Sequence, residues 1–303
     1  MQLNLGKLVF NSMMSKSISG FPYIDSSPVP GYNRIRTLNG YKIGKKLKSY
    51  YKYMSFRRFD ESTGTNNNED GMKEYLTFVT PAKWIDPFES LYYNADFSNH
   101  NYHASPIACL CVTGHPYTNE EASWRAYTRK GEKAIRVGYD IDKLLSLLNE
   151  YANNNNCTIY IGKVNYTLDK KEIINLAKAN EQNRLHHFYF PSYMGIEHYL
   201  SLMLLKRKAF QYENEIRFFI VKNEDEGFED VVKIPCDYRS TNIITKVTIE
   251  PLLPLRSNDI EDTIRYEGTK RENELIIKHI KEKLNCTVER SNLYAQTDRI
   301  TIE

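Results

Sequence analysis

Tyr212-Glu213-Asn214-Glu215-Ile216-Arg217-Phe218-Phe219-Ile220-Val221 is the stretch on which the reading of this chain turns. Its second half is a continuous apolar run of strand-forming residues, so it reads as a strand that enters a core. If the extended backbone begins at Glu213, then Glu213, Glu215 and Arg217 fall on one face, because side chains alternate along a strand. Two carboxylates on one face repel unless a cation or ligand sits between them or one takes up a proton. The trio therefore reads either as a surface charge ladder or as the rim of a functional site.

Working outward, further strands are expected over residues 49–56, 75–80, 107–112, 134–139, 158–166, 231–234 and 243–249, and residues 287–294 close the chain. Residues 60–71, with Gly64 and Asn66 to Asn68, read as a loop. Asp140 is placed to cap a helix running on through Leu148. Residues 169–209 read as helical pieces broken near Pro191 and Gly195. Residues 272–284 read as a helix with Leu275, Ile276, Ile280 and Leu284 on one side. Strands and helices do not alternate as βαβ units, so the expected fold is α+β: a single domain over 46–303, with a mixed or antiparallel sheet and segregated helices. Residues 1–45, punctuated by Gly20, Pro22, Pro28, Pro30 and Gly31, read as an irregular N-terminal extension.

Composition sets the class. A chain of 303 residues with 41% hydrophobic and 26% charged residues can build a sizeable core. The five cysteines form no zinc-type C-x-x-C pair, and Cys109 and Cys111 share a face if their segment is a strand. Reduced, buried cysteines, no apolar stretch near the roughly 20 residues of a membrane span, and no apolar leader after a basic start together predict a cytoplasmic protein. The net charge is only +3, but its distribution is uneven. From Ser26 to Phe59 there is no acidic residue, whereas Arg34, Arg36, Lys42, Lys45, Lys46, Lys48, Lys52, Arg57 and Arg58 all lie there, interleaved with Tyr32, Tyr41, Tyr50, Tyr51 and Tyr53. Such a run at 32–58 suits nucleic-acid phosphates and bases, or is simply a solvated face.

Three other segments are candidates. Trp124 and Tyr127 share a helix face and line either a core or a pocket for a flat ligand. Trp84-Ile85-Asp86-Pro87-Phe88-Glu89 reads as a turn held by Asp86. Lys52 and Tyr53 belong to the first confident strand. No P-loop, G-x-G-x-x-G, H-E-x-x-H or G-x-S-x-G occurs, and His186, His187 and His198 lack metal-ligand spacing.

Taken together, these pieces resemble an uncharacterised bacterial domain family, some members of which sit near phage-defence genes. The residues that carry the resemblance are Tyr51-Lys52-Tyr53, Trp84 to Glu89, Trp124 with Tyr127 and Gly131, Lys206 to Arg217, Val247 to Pro251 and Ser291 to Tyr294. The family's F-N-D-P is Trp84-Ile85-Asp86-Pro87 here, and the spacing from Trp124 to the glycine is shorter than the family's. The order of parts is similar to that of ADP-ribosyltransferases, with an early Y-[RHK]-x strand and a late E-x-E at a strand start. That likeness implies an ADP-ribosyltransferase-like split sheet and NAD as substrate. It implies Glu215 as the catalytic glutamate and Glu213 as the residue that orients or deprotonates the acceptor. Lys52 and Tyr53 then contact the dinucleotide, with Thr80, Trp124 and Tyr127 nearby and Arg217 as a structural or phosphate partner. A phage-defence or toxin–antitoxin effector modifying nucleic acid or protein follows, with an antitoxin or chaperone as partner and no membrane.

Two other classes stay open. One is a non-catalytic nucleic-acid-binding defence or sensor module. The other is a metal-dependent nuclease using Glu213, Glu215 and Asp86 around a divalent ion.

Overall fold

The computed structural model describes residues 26–44, 47–64, 74–84, 107–114, 120–127, 132–168, 196–222, 228, 230–251 and 260–293. In chain order the strands are β1 (Ser26–Pro28), β2 (Ile35–Leu38), β3 (Ser49–Ser55), β4 (Tyr75–Val79), β5 (Ile107–Thr113), β6 (Ala134–Asp140), β7 (Cys157–Lys163), β8 (Asn165–Leu168), β9 (Leu205–Arg207), β10 (Glu215–Lys222), β11 (Val231–Pro235), β12 (Ile244–Ile249) and β13 (Thr287–Arg290). The helices are α1 (Phe56–Ser62), α2 (Glu120–Tyr127), α3 (Ile141–Asn154), α4 (Ile196–Leu202), α5 (Tyr238–Thr241) and α6 (Ile260–Lys283), with short 3₁₀ turns at Pro81–Lys83 and Lys208–Glu213. The chain is mixed α+β, and it divides into two compact units that interleave along the sequence.

The first unit holds Met1–Lys45, Thr77–Cys111 and Leu145–Ile234. Its strands run in the order β1-β2-β7-β10-β5. β10 is antiparallel to β7, from Ile216 opposite Lys163 to Lys222 opposite Cys157. β2 joins β7 in parallel. Every residue of β10 from Glu215 to Val221 is buried, as the continuous apolar run requires of a strand covered on both faces. Arg217 pairs in register with Gly162. A Cβ at Gly162 would collide with Leu204, so the glycine lets the turn at Met203 and Leu204 lie against the sheet beside Arg217.

The second unit holds Lys46–Leu76, Val112–Leu144 and Pro235–Glu303. Here the order is β3-β6-β12-β13. β6 is antiparallel to both neighbours, and β12 and β13 are parallel, which makes the sheet mixed. Tyr53, Arg136 and Thr248 fall in one row across three strands. Helix α6 turns Ile276 and Ile280 inward, and Leu284, just past its end, is buried as well.

Several expectations need correction. Within residues 1–45, the segment from Ser26 is not irregular throughout: β1 and β2 form there, and Ile35 and Leu38 are fully buried. Phe56 opens a helix rather than ending a strand, because the Ser55 hydroxyl accepts the amide of Arg58 and caps it. Residues 205–207 are a strand, not helix. Asp140 does accept the amide of Lys143 at the start of α3. Leu275 is 61% exposed and does not share the buried face of α6 with Ile280, which is 1% exposed. Ile280→Ala should cost about 2–5 kcal/mol in urea unfolding, and Leu275→Lys should stay within about 0.5 kcal/mol. Equal costs would contradict the assigned helix face.

Candidate functional site

The polar trio read from sequence is assembled in the first unit, with one change. Glu213 is not on the strand. It ends the 3₁₀ turn Lys208–Glu213, and Asn214 follows in the left-handed region at φ 43° before β10 starts at Glu215. Asparagine tolerates that backbone better than most residues. The turn still brings both carboxylates to one cation. The Lys206 ammonium on β9 donates to Glu213 Oε2 and, at 3.1 Å, to Glu215 Oε2. On the strand, Arg217 donates from Nε to Glu215 Oε1 at 2.9 Å and from Nη2 to Oε2 at 3.1 Å. Its Nη1 donates to the Met203 carbonyl. The two acids and two bases have side chains no more than 7% exposed.

Three further groups close the cluster. The Trp84 ring lies over the Arg217 guanidinium at 4.3 Å, inside the range of a cation–π contact. The Glu215 amide donates to Tyr166 Oη at 2.8 Å. Cys109 and Cys111 do share a face of β5, with sulfurs 3.8 Å apart. The bond to Cys109 and burial hold the Cys111 thiol well above its ordinary range, so it stays protonated at neutral pH.

Burial alone raises the Glu215 pKa, but the Arg217 and Lys206 charges outweigh it and bring it from 4.5 down to about 2. Glu215 is therefore a fixed, ionised carboxylate at neutral pH. The crowding problem posed by two nearby glutamates is solved by a lysine between them rather than by a shared proton.

The other sequence-derived candidates are distributed as follows. Tyr53 and Trp124 meet edge to face in the second unit, with ring centroids 4.9 Å apart. Lys52 is half-buried and, as the next residue along β3, projects to the opposite face from Tyr53. In the first unit, Thr80 is 4% exposed, and its amide donates to the Asp230 carbonyl. Tyr127 ends α2. Asp86, His186 and His187 lie outside the described residues. Among the described residues no cluster of three or more His, Cys, Asp or Glu could hold a metal ion, and no helix is long and apolar enough to cross a membrane. Of the basic run, Arg36 lies on β2, Lys52 on β3, and Arg57 and Arg58 on α1, and Lys45 and Lys46 lie outside the described residues. Tyr50 and Tyr53 are in the core, Arg36 donates to Ser26, and Arg57 pairs with Glu61.

Residues given no role in advance prove central. Lys206 is one. Arg136 is another: it is 2% exposed in the middle of β6, with the rings of Tyr51, Tyr53 and Trp124 at 5.7, 5.8 and 5.9 Å. Its signal was legible as a single charge inside the apolar run Ala134-Ile135-Arg136-Val137.

Residues 123–218 match the family described as Protein of unknown function (DUF2971). The match spans Trp124 through Arg217 and covers less than half of the chain. It agrees with an uncharacterised domain family over that stretch. No curated protein and no solved structure matches the chain.

A buried ion pair broken on one side leaves an uncompensated charge. Arg217→Met should lower unfolding stability by about 3–5 kcal/mol. Because the Glu215 pKa is depressed in the folded state, its contribution is complete above pH 4.5 and is lost as pH falls toward 2. Unfolding followed across that window should show a smaller acid loss for Glu215→Gln than for the native chain. Identical slopes would refute the ionised, paired state of Glu215.

Proposed function

We propose that this protein is an NAD-dependent ADP-ribosyltransferase with Glu215 as its catalytic carboxylate. The observation that carries the proposal is the state of Glu215 at the first position of β10: ionised, and fixed by a two-point arginine bond. An oxocarbenium-like transition state is stabilised by a negative charge that is already oriented before the reaction begins. A two-point bond to Arg217 supplies that orientation. Lys206 is shared, so it can remain with Glu213 and leave one lone pair of Glu215 Oε2 to the developing positive charge on the ribose, with both bonds from Arg217 kept.

In the reaction so read, the bond from ribose C1′ to nicotinamide breaks, and nicotinamide leaves neutral with the bonding pair. An acceptor oxygen or nitrogen then bonds to C1′, and its proton passes to Glu213. The roles given to Lys52, Tyr53, Thr80, Trp124 and Tyr127 toward the dinucleotide rest on the family resemblance, as do a phage-defence or toxin–antitoxin setting and an antitoxin or chaperone partner. A nucleic-acid acceptor is suggested by the basic composition of residues 32–58 alone.

The nuclease reading has less support. Glu213 and Glu215 already face an ammonium, and Glu215 faces a guanidinium as well, so a divalent cation entering there would meet two positive charges.

The test is transfer of label from NAD into cell extract by the purified full chain. The native protein should label a macromolecule, and Glu215→Gln should reduce the rate by at least about 100-fold, the scale of losing a preorganised charge. Absence of labelling by the native chain, or equal labelling by a folded Glu215→Gln variant, overturns the proposal.

A further inference from the structure

The large apolar side chains exposed among the described residues are not spread evenly. Val231 lies on β11, but Ile260, Ile264 and Leu275 are 74, 67 and 61% exposed, and all three belong to α6. An α-helix turns by about 100° per residue. Ile260, Ile264, Arg271 and Leu275 therefore fall within an arc of about 60°, on the side of α6 opposite to the inward-facing Ile276 and Ile280. A helix that packs on its own core needs one apolar stripe. α6 carries two, and a contiguous apolar stripe left on the outside marks a contact surface. Gly268 lies in the middle of that outer stripe. Glycine inside a helix weakens it relative to alanine. No contact within the described chain requires one there, since a Cβ at Gly268 would meet nothing within 4 Å. A bare position at the centre of an exposed stripe lets a second backbone approach closely.

We propose that this outer face of α6 is the contact through which two copies of the chain associate, with the two helices antiparallel and crossing at Gly268. Charge selects both the partner and its direction. Glu267 and Arg271 flank Gly268, and both are exposed. Parallel helices would set Glu267 against Glu267 and Arg271 against Arg271. Antiparallel helices related by a twofold axis beside Gly268 place Ile260 of each copy over Leu275 of the other and bring Glu267 of each copy to Arg271 of the other. Ile264 then lies along the methylene stem of the opposite Arg271. From Ile260 to Leu275 the helix rises about 22 Å and is about 10 Å wide. A strip of that size falls short of the roughly 800 Å² per partner of a standard interface, so the pair is weak and forms only at raised concentration. The contact goes beyond the transferase reading, because α6 belongs to the second unit and association requires nothing of Glu215.

The experiment is sedimentation equilibrium of the full native chain from about 1 to 200 µM, the range in which a small interface assembles. The mass should rise from that of one chain, 35.5 kDa, toward twice that value. Ile264→Lys and Leu275→Lys should each weaken association about tenfold or more. The small unfolding cost expected of Leu275→Lys keeps that loss distinct from a loss of fold. Gly268→Ala separates the contact from helix propensity. In dilute protein its thermal midpoint should rise, because alanine favours the helix, whereas association should weaken about tenfold, because the added methyl group sits at the crossing. Glu267→Lys and Arg271→Glu test the direction. Each variant alone should associate less than the native chain, and an equimolar mixture should regain association, because every lysine or arginine at the contact then meets a glutamate. A native chain that stays single throughout the range overturns the proposal and leaves the stripe to a different partner. Association unchanged by both lysine substitutions overturns it as well, and a mixture no more associated than its components contradicts the antiparallel pairing. Mass is measured without NAD, so a failed label-transfer assay leaves this result standing, and the reverse holds equally.

Discussion

The first unit depends on the burial of four charges around Glu215. Moving a carboxylate or an ammonium out of water costs several kcal/mol each even after relaxation, and the cost is recovered only when geometry is good and every polar atom is satisfied. Here two acids meet two bases. Arg217 takes Glu215 by two bonds and spends its remaining nitrogen on a backbone carbonyl, while Lys206 spans both carboxylates. Much of the local architecture follows from that requirement. Gly162 is bare so that the Met203–Leu204 turn can present its carbonyl, Asn214 takes a left-handed backbone so that Glu213 can swing back, and Trp84 covers the guanidinium.

Such a cluster has a cost in stability relative to an apolar core, because well-packed hydrophobic residues often do as well or better in the same space. A buried ionic cluster therefore fits a chain that needs an oriented charge at that point. An ionised carboxylate held at the head of a buried strand is the kind of preorganised group that reaction centres use. That consideration connects the packing of β10 to the transferase reading.

How much of this was legible in the sequence follows from the range of the interactions. The apolar run Phe218–Val221 announced a covered strand, and Asp140 announced its helix, because both signals are local. The i, i+2 spacing correctly placed Glu215 and Arg217 on one face and Cys109 with Cys111. It failed for Glu213, because a single left-handed asparagine breaks the alternation on which the spacing rule rests. Lys206 was hidden for a similar reason: it sits nine residues before Glu215 on β9, a strand that read as helix, and is returned to that glutamate by a 3₁₀ turn. In the second unit, Arg136 was visible as an isolated charge in an apolar strand, but its aromatic neighbours come from β3 and α2, which only the tertiary structure brings together. Leu275 was misassigned because α6 carries apolar residues on more than one side, so periodicity alone did not choose the buried face.

The central claim is that Lys206 serves as the shared counter-ion of two buried carboxylates. A double-mutant cycle between Lys206 and Glu213, read by urea unfolding, tests it most directly. Lys206→Met removes the ammonium from Glu213 and leaves Glu215 to Arg217, so adding Glu213→Gln should recover part of the lost stability, with a coupling of about 1–3 kcal/mol. Strictly additive losses for the two substitutions would contradict the account.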